Sequence, residues 1–128
     1  MANIMIVDDD PLIQKWVEKC LDPLEHEIIS VSSGEEFRNY FDSGIENIDI
    51  VLMDILLPDL DGIEATRLLK SLEQPPIVIM LTSLTDSRSM KKSANAGADD
   101  FLVKPVRAND LHGRINQALQ AKSFFDNR

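Results

Sequence analysis

The residues that could carry chemistry stand where short apolar runs end. Asp8, Asp9 and Asp10 follow the run 4–7, and Asp54 follows the run 50–53. Ser32 and Ser33 follow 28–31, Thr82 and Ser83 follow 77–81, and Lys104, with Pro105 behind it, follows 101–103. If these runs are strands of one sheet, an acid pair, a single acid, a hydroxyl and a lysine share one edge of it. Ligands of open α/β sheets bind at that edge, beyond the carboxyl ends of the strands. Close carboxylates repel one another unless a cation sits among them. An all-oxygen set suits Mg²⁺, which takes few protein ligands and keeps several waters. A carboxylate beside Mg²⁺ can attack phosphorus. A lysine and a hydroxyl close by would balance charge on the transferring phosphoryl oxygens.

Taken singly, each of these residues has a plainer role. An acidic triplet is more often loop and helix cap, and Asp10 before Pro11 is assigned to capping. Thr82-Ser83 reads as a turn into a helix, and a lone lysine is usually a solvated one. Their joint placement at the ends of four strands is what favours a site. His26 and His112 have no metal-ligating neighbours in sequence and read as surface residues. Cys20 lies in an apolar stripe and reads as core packing. No glycine-rich phosphate loop is present, and Gly62 in Asp59-Leu60-Asp61-Gly62 reads as a turn before a helix.

The five runs are rich in Ile and Val and mostly lack alternation, as strands buried on both faces of a parallel sheet do. Their starts at 4, 28, 50, 77 and 101 leave room between them for one helix and two short loops. The first gap places Leu12, Ile13, Trp16, Val17, Cys20 and Leu21 on one apolar helix face, with Pro11 at its first position. The second offers Phe37, Tyr40 and Phe41. The third offers Ile63, Thr66, Leu68, Leu69 and Leu72, and Pro75-Pro76 is expected to end it. The last stretch carries Leu111, Ile115, Ala118 and Leu119, weakened at Gly113 by roughly 1 kcal/mol relative to alanine. The fourth gap, 88–96, offers only Met90 and small alanines, so its helix should be the least firmly held element. Five βα units in sequence predict one doubly wound α/β domain over 1–128 with right-handed crossovers. The tail beyond about 120 reads as a helix extension or linker.

Composition limits the function classes. The chain has 128 residues, 44% hydrophobic and 27% charged, which excludes disordered and low-complexity classes. No apolar run approaches the roughly 20 residues of a membrane span, and the N-terminus shows no signal-peptide pattern. Lys plus Arg is 13 against 22 Asp plus Glu, a net charge of −9. Such a chain repels phosphate backbones, so direct nucleic-acid binding is not expected, while cations and basic partners are. The single cysteine predicts no internal disulfide and a reducing, cytoplasmic setting.

With these residues in place the sequence resembles the receiver domain of two-component response regulators. Ile4-Met5-Ile6-Val7-Asp8-Asp9-Asp10-Pro11 matches the family's first strand and acidic pair. Asp49-Ile50-Val51-Leu52-Met53-Asp54, followed by Leu57-Pro58-Asp59-Leu60-Asp61-Gly62, matches its phosphorylation segment. Ile79-Met80-Leu81-Thr82 matches the switch-hydroxyl segment, and Ala96-Gly97-Ala98-Asp99-Asp100-Phe101-Leu102-Val103-Lys104-Pro105 matches the fifth strand and lysine. The resemblance implies a flavodoxin-like five-stranded parallel sheet, order 2-1-3-4-5, flanked by five helices. It implies Asp54 as phosphoryl acceptor and Mg²⁺ held by Asp9 directly, by Asp8 through water, by Asp54 and by the backbone carbonyl of Leu56. Thr82 would move to hydrogen-bond the phosphoryl group. Lys104 would pair with it from the other side, held by a cis bond to Pro105. Phe101 would be an aromatic switch between exposed and buried positions.

The implied function is a signalling switch, not an enzyme in the usual sense. It would take a phosphoryl group from a histidine kinase or histidine phosphotransfer protein, shift its helix 4–strand 5–helix 5 face, and lose the group slowly. Leu56 and Leu84, two residues beyond Asp54 and Thr82, stand where fast self-dephosphorylating receivers tend to be polar or acidic. Ser83, Phe101 and Val106 depart from the commonest residues at their positions, and none of these changes touches the chemistry. Output is open between a single-domain regulator and a receiver followed by an effector domain. Asp99, Asp100, Asp110 and Arg114 stand on a face that some family members use to form homodimers, although Met90 replaces an expected arginine there. The competing reading is a haloacid-dehalogenase-like Mg²⁺-dependent phosphohydrolase, because Asp8 and Asp10 form an Asp-x-Asp after a strand. Leu12, where that motif has Thr or Val, and the short chain speak against it.

Overall fold

The computed structural model describes residues 2–24 and 26–126. Five strands, β1 (Asn3–Val7), β2 (Glu27–Val31), β3 (Ile50–Met53), β4 (Ile77–Thr82) and β5 (Asp100–Val103), form one sheet in the order β2-β1-β3-β4-β5. All four pairings are parallel. The helices are α1 (Pro11–Leu21), α2 (Gly34–Ser43), α3 (Gly62–Lys70), α4 (Ser87–Asn95) and α5 (Ala108–Asp126). The tail beyond 120 thus continues α5, and residues 127–128 lie outside the described residues.

The period of two along each strand divides the core. Met5, Val7, Val51, Met53, Val78 and Met80 face α2 and α3, where Phe37, Ile63 and Leu69 meet them. Ile4, Ile6, Ile50, Leu52, Ile79 and Leu81 face α1 and α5, against Val17, Leu21, Leu111 and Ile115. Both faces being covered is why the runs read as continuously apolar instead of alternating. Cys20 is buried in the second cluster, as its stripe predicted. Within α4 only Ser93 is buried, so this helix is the lightest-packed of the five.

The helix faces are narrower than the sequence suggests. Leu12 is 74% exposed, and Trp16, Tyr40 and Leu68 are also exposed. A helix lying on a sheet covers one stripe of about a hundred degrees, and these residues fall beside it. Trp16 uses its polar edge instead: Nε1 donates to the Val106 carbonyl at 2.9 Å, tying α1 to the segment before α5. Pro75-Pro76 does not end α3. The helix stops at Lys70, where the Ser71 N–H reaches the Arg67 and Leu68 carbonyls at 3.2 Å and closes the last turn. Gly113 in α5 faces open space, so it costs propensity without relieving any clash.

The histidines are not loose surface groups. His26 Nδ1 accepts from the Ala2 N–H at 3.1 Å, and His112 Nε2 lies 2.7 Å from the Cys20 carbonyl, to which it donates. Burial, aided by His112, holds the His26 pKa below its usual 6.5. An imidazole that accepts at Nδ1 must be neutral there, so protonation breaks the bond. A depressed histidine pKa contributes stability that is present above the unfolded value and is lost as pH falls below about 6.5. Melting temperatures measured from pH 7.5 to 5.5 should therefore fall more steeply for the native chain than for His26→Gln. Parallel curves would remove His26 as the cause.

Candidate functional site

The carboxyl ends of β1, β3 and β5 bring the predicted side chains together. Backbone pairing carries on one step past the strands: the Asp8 N–H bonds the Val31 carbonyl at 3.0 Å and the Asp54 N–H bonds Val7 at 2.9 Å. Asp54 is thereby fixed one strand away from Asp8. The Lys104 N–H bonds the Thr82 carbonyl at 2.9 Å, which does the same for β4 and β5. The Lys104–Pro105 peptide is cis, as the resemblance implied.

Asp8 is fully buried and Asp54 is 9% exposed. One carboxylate oxygen from each of Asp8, Asp9 and Asp54 lies within 4.8 Å of the others. The Lys104 ammonium stands 2.7 Å from Asp8 Oδ2 and 3.4 Å from Asp54 Oδ2. It hydrogen-bonds Asp54, and its ion pair with Asp8 is the shorter of the two contacts. One lysine pairs with two of three clustered carboxylates, and the excess negative charge suits a divalent cation with oxygen ligands.

The electrostatics follow from this crowding. Burial pushes the Asp54 pKa above its usual 3.8; Lys104 opposes that shift and the Asp8 charge adds to it. Burial pulls Lys104 down, but the two carboxylates outweigh it, and its pKa lies above 10.5.

The other predicted residues are placed as follows. Asp10 is the N-cap of α1, accepting from the Leu12 N–H at 2.9 Å. Ser33 caps α2. Thr82 is buried at the end of β4, and its Oγ1 accepts from the Leu84 N–H at 3.0 Å; it makes no hydrogen bond to the carboxylates among the described residues. Phe101 is half-buried against the α2–α3 core. Leu56 begins a two-stranded hairpin, Leu56–Leu57 with Leu60–Asp61, where only a turn was expected, and its side chain is 64% exposed. On the expected homodimer face, Arg114 bonds both Asp100 oxygens, at 3.0 and 3.1 Å, and Asp99 pairs with Lys70 at 2.8 Å. Those charges are engaged within the chain.

Three supporting residues escaped the sequence reading. Gln14 Nε2 donates to the Asp8 carbonyl at 2.7 Å and to Ser32 Oγ at 3.0 Å, lashing α1 to the acidic loop. Asp59, in the hairpin turn, accepts from the Gly34 and Glu35 N–H groups at 2.7 and 3.1 Å and so anchors the hairpin to the start of α2. Those hydrogen bonds hold its pKa below the usual value. Gly62 was read only as a turn. A Cβ there would lie 1.9 Å from the Asp54 carbonyl oxygen, so the residue after the hairpin must be glycine for α3 to start this close to the site.

The family model of the response regulator receiver domain matches residues 4–116. A probable transcriptional regulator ycf27 of Guillardia theta is 36% identical over 92% of this chain and 45% of its own length. The BeF3-activated DrrB receiver domain superposes with a TM-score of 0.84 at 36% identity, covering 94% of this chain and 98% of that one. A CheY-like receiver domain of Methanospirillum hungatei gives a TM-score of 0.88 at 28% identity, over 96% and 97% of the two chains. The chain belongs to the receiver domain family of two-component response regulators. It spans 45%, 32% and 52% of the length of three curated relatives, a third to a half of each.

Proposed function

We propose that residues 1–128 act as one cytoplasmic receiver unit that is switched by phosphorylation of Asp54. The observation that carries this reading is the meeting of Asp8, Asp9 and Asp54, with the Lys104 ammonium against Asp8 and Asp54. Mg²⁺ fits this set, because three carboxylate oxygens converge and the single Lys104 ammonium beside Asp8 and Asp54 leaves net negative charge there. Asp8, Asp9, Asp54 and the Leu56 backbone carbonyl would hold it. When bound, the ion neutralises the carboxylates and the phosphoryl oxygens.

The chain's own residues supply the rest. An Asp54 carboxylate oxygen attacks phosphorus; the new O–P bond forms as the bond to the donor's leaving group breaks, a histidine nitrogen taking up a proton from water as it leaves and an acetyl donor leaving as acetate. Burial makes the Asp54 charge costly, and the phosphoryl group adds negative charge there that cationic groups must offset. Lys104, already between Asp8 and Asp54, donates to a phosphoryl oxygen. Thr82 Oγ1 gives up its contact with Leu84 and donates to another. Phe101 follows into the space that Thr82 leaves, and the lightly packed α4 moves with the β5 and α5 face. A histidine kinase or histidine phosphotransfer protein is the donor, and an effector domain, an output protein or a second copy reads the changed face. The output is signalling, with the chain promoting its own phosphorylation and slow dephosphorylation.

Incubation with acetyl phosphate and Mg²⁺ should add one phosphoryl group per chain in intact mass spectra. Steady release of nitrophenol from nitrophenyl phosphate would instead favour the phosphohydrolase.

The acidic pocket makes a second prediction. Mg²⁺ that binds only the native state should raise the melting temperature, by an amount equivalent to about 2.7 kcal/mol at a hundred times its Kd. Asp9→Asn removes one repelling charge, so it should melt higher without metal and respond less to Mg²⁺. Equal Mg²⁺ stabilisation of both proteins in thermal-shift titrations would place the ion elsewhere.

A further inference from the structure

At the end of the sheet opposite the acidic pocket, a cavity of about 340 Å³ opens between the C-terminal ends of α2 and α3. It lies beside the segments that lead into β3 and β4. Phe41, Ile45 and Leu72 form its apolar lining, and Glu46, Glu73 and Gln74 its rim. The floor is continuous with the core: Phe41 packs 6.1 Å from the ring of buried Phe37, and Ile45 is 5% exposed. Gly44 forms part of the wall with φ +111°, and the Glu46 carboxylate lies 2.7 Å from where a Cβ on it would stand. That backbone angle favours glycine at this position, whereas the Glu46 side chain could swing away from a Cβ.

Neither Glu46 nor Glu73 makes a hydrogen bond or ion pair with any described residue, and no basic side chain lines the cavity. Elsewhere on the surface several carboxylates are engaged: Asp59 with Arg38, Glu64 with Arg67, Asp99 with Lys70, Asp100 with Arg114. An apolar hollow rimmed by two free carboxylates is complementary to a bulky apolar side chain flanked by cations.

We infer that this cavity is a docking site for a basic amphipathic segment of a partner protein, in which one or two bulky apolar side chains fill the hollow and adjacent Lys or Arg residues meet Glu46 and Glu73. The volume lies at the low end of small-molecule clefts, which fits a side-chain anchor better than a large ligand. Burying the anchor would supply the affinity, and the rim charges would supply orientation and selection against acidic segments. The site is remote from Asp54, so it could hold a partner in either phosphorylation state. This inference therefore stands apart from the phosphorylation chemistry.

The test uses the whole chain and a synthetic peptide, Lys-Arg-Leu-Phe-Arg-Lys, titrated into ¹⁵N-labelled protein. Amide shifts should concentrate at Phe41, Gly44, Ile45 and Leu72. A Glu46→Lys/Glu73→Lys variant should weaken binding roughly tenfold, with unchanged melting behaviour and unchanged labelling by acetyl phosphate. A Glu18→Lys/Asp110→Lys variant carries the same change in net charge away from the cavity and should bind normally. A Lys-Arg-Ser-Gly-Arg-Lys peptide should bind weakly or not at all. If both variants weaken binding alike, or if the peptide lacking apolar residues binds equally well, the attraction is only that of a chain of net charge −9 and the docking site is refuted. Self-association in sedimentation that Glu46→Lys/Glu73→Lys abolishes would replace the partner protein with a second copy.

Discussion

Asp54→Asn is expected to take up no phosphoryl group from acetyl phosphate, and to be at least as stable as the native chain without metal. The two results have one origin. Asparagine keeps the size and polarity of the side chain at the end of β3, but its amide oxygen is not a nucleophile toward phosphorus at neutral pH. Burial raises the Asp54 pKa in the folded state, so the folded chain holds this proton more firmly than the unfolded one. The sign follows by linkage: above the folded pKa the ionised carboxylate detracts from stability, and that deficit disappears as pH falls through it. Asparagine removes the deficit at every pH. Lys104 loses its 3.4 Å partner but keeps Asp8 at 2.7 Å, so no buried cation is left alone. Intact mass and a melting curve on the same preparation test both halves. Undiminished labelling of Asp54→Asn would sink the acceptor assignment. Lost labelling together with a collapsed melting curve would point to a structural role instead.

How much of this was legible in the sequence depends on the range of the interactions involved. The strands were legible because burial on both faces leaves only one kind of residue at 4–7, 50–53 and 77–81. The acid pair, Asp54, Thr82 and Lys104 were legible as a group because a parallel sheet sends every strand's carboxyl end to the same edge. The lightness of α4 was legible because 88–96 has little to bury. Leu12, Tyr40 and Leu68 misled because periodicity gives the direction of an apolar face but not its width. The histidines misled because their partners, Ala2 and the Cys20 carbonyl, are backbone groups, which no side-chain pattern announces. Asp59 capping α2 from 25 residues away has no local signal at all. Nor does the direction of the Thr82 hydroxyl, which depends on where the chain turns at Leu84. Local chemistry and one-dimensional burial are written in order along the chain, whereas contacts to distant backbone exist only once the fold has formed.

Replacing Leu56 by Asn and Leu84 by Glu together should shorten the life of the phosphorylated state roughly tenfold, equivalent to about 1.4 kcal/mol in the barrier. Hydrolysis needs a water in line with the leaving Asp54 oxygen. Leu56 lies two residues beyond Asp54, at the opening of the hairpin, with its side chain 64% exposed. Leu84 lies two residues beyond Thr82, half-buried against the core, and its N–H donates to the Thr82 hydroxyl. Neither side chain can orient a water, and both are bulky enough to obstruct one. Asparagine at 56 supplies a donor and an acceptor on a side chain that already faces solvent, so the fold loses little. Glutamate at 84 can lay its methylenes on the core where the leucine packed and hold its carboxylate at the surface, where it can accept a hydrogen bond from the attacking water. The measurement is the decay of label after donor removal, in native chain, both single variants and the double variant, at fixed Mg²⁺. The melting temperature of each separates a loosened pocket from a catalysed one. Decay no faster in the double variant than in the native chain would show that water access past these two leucines does not set the lifetime.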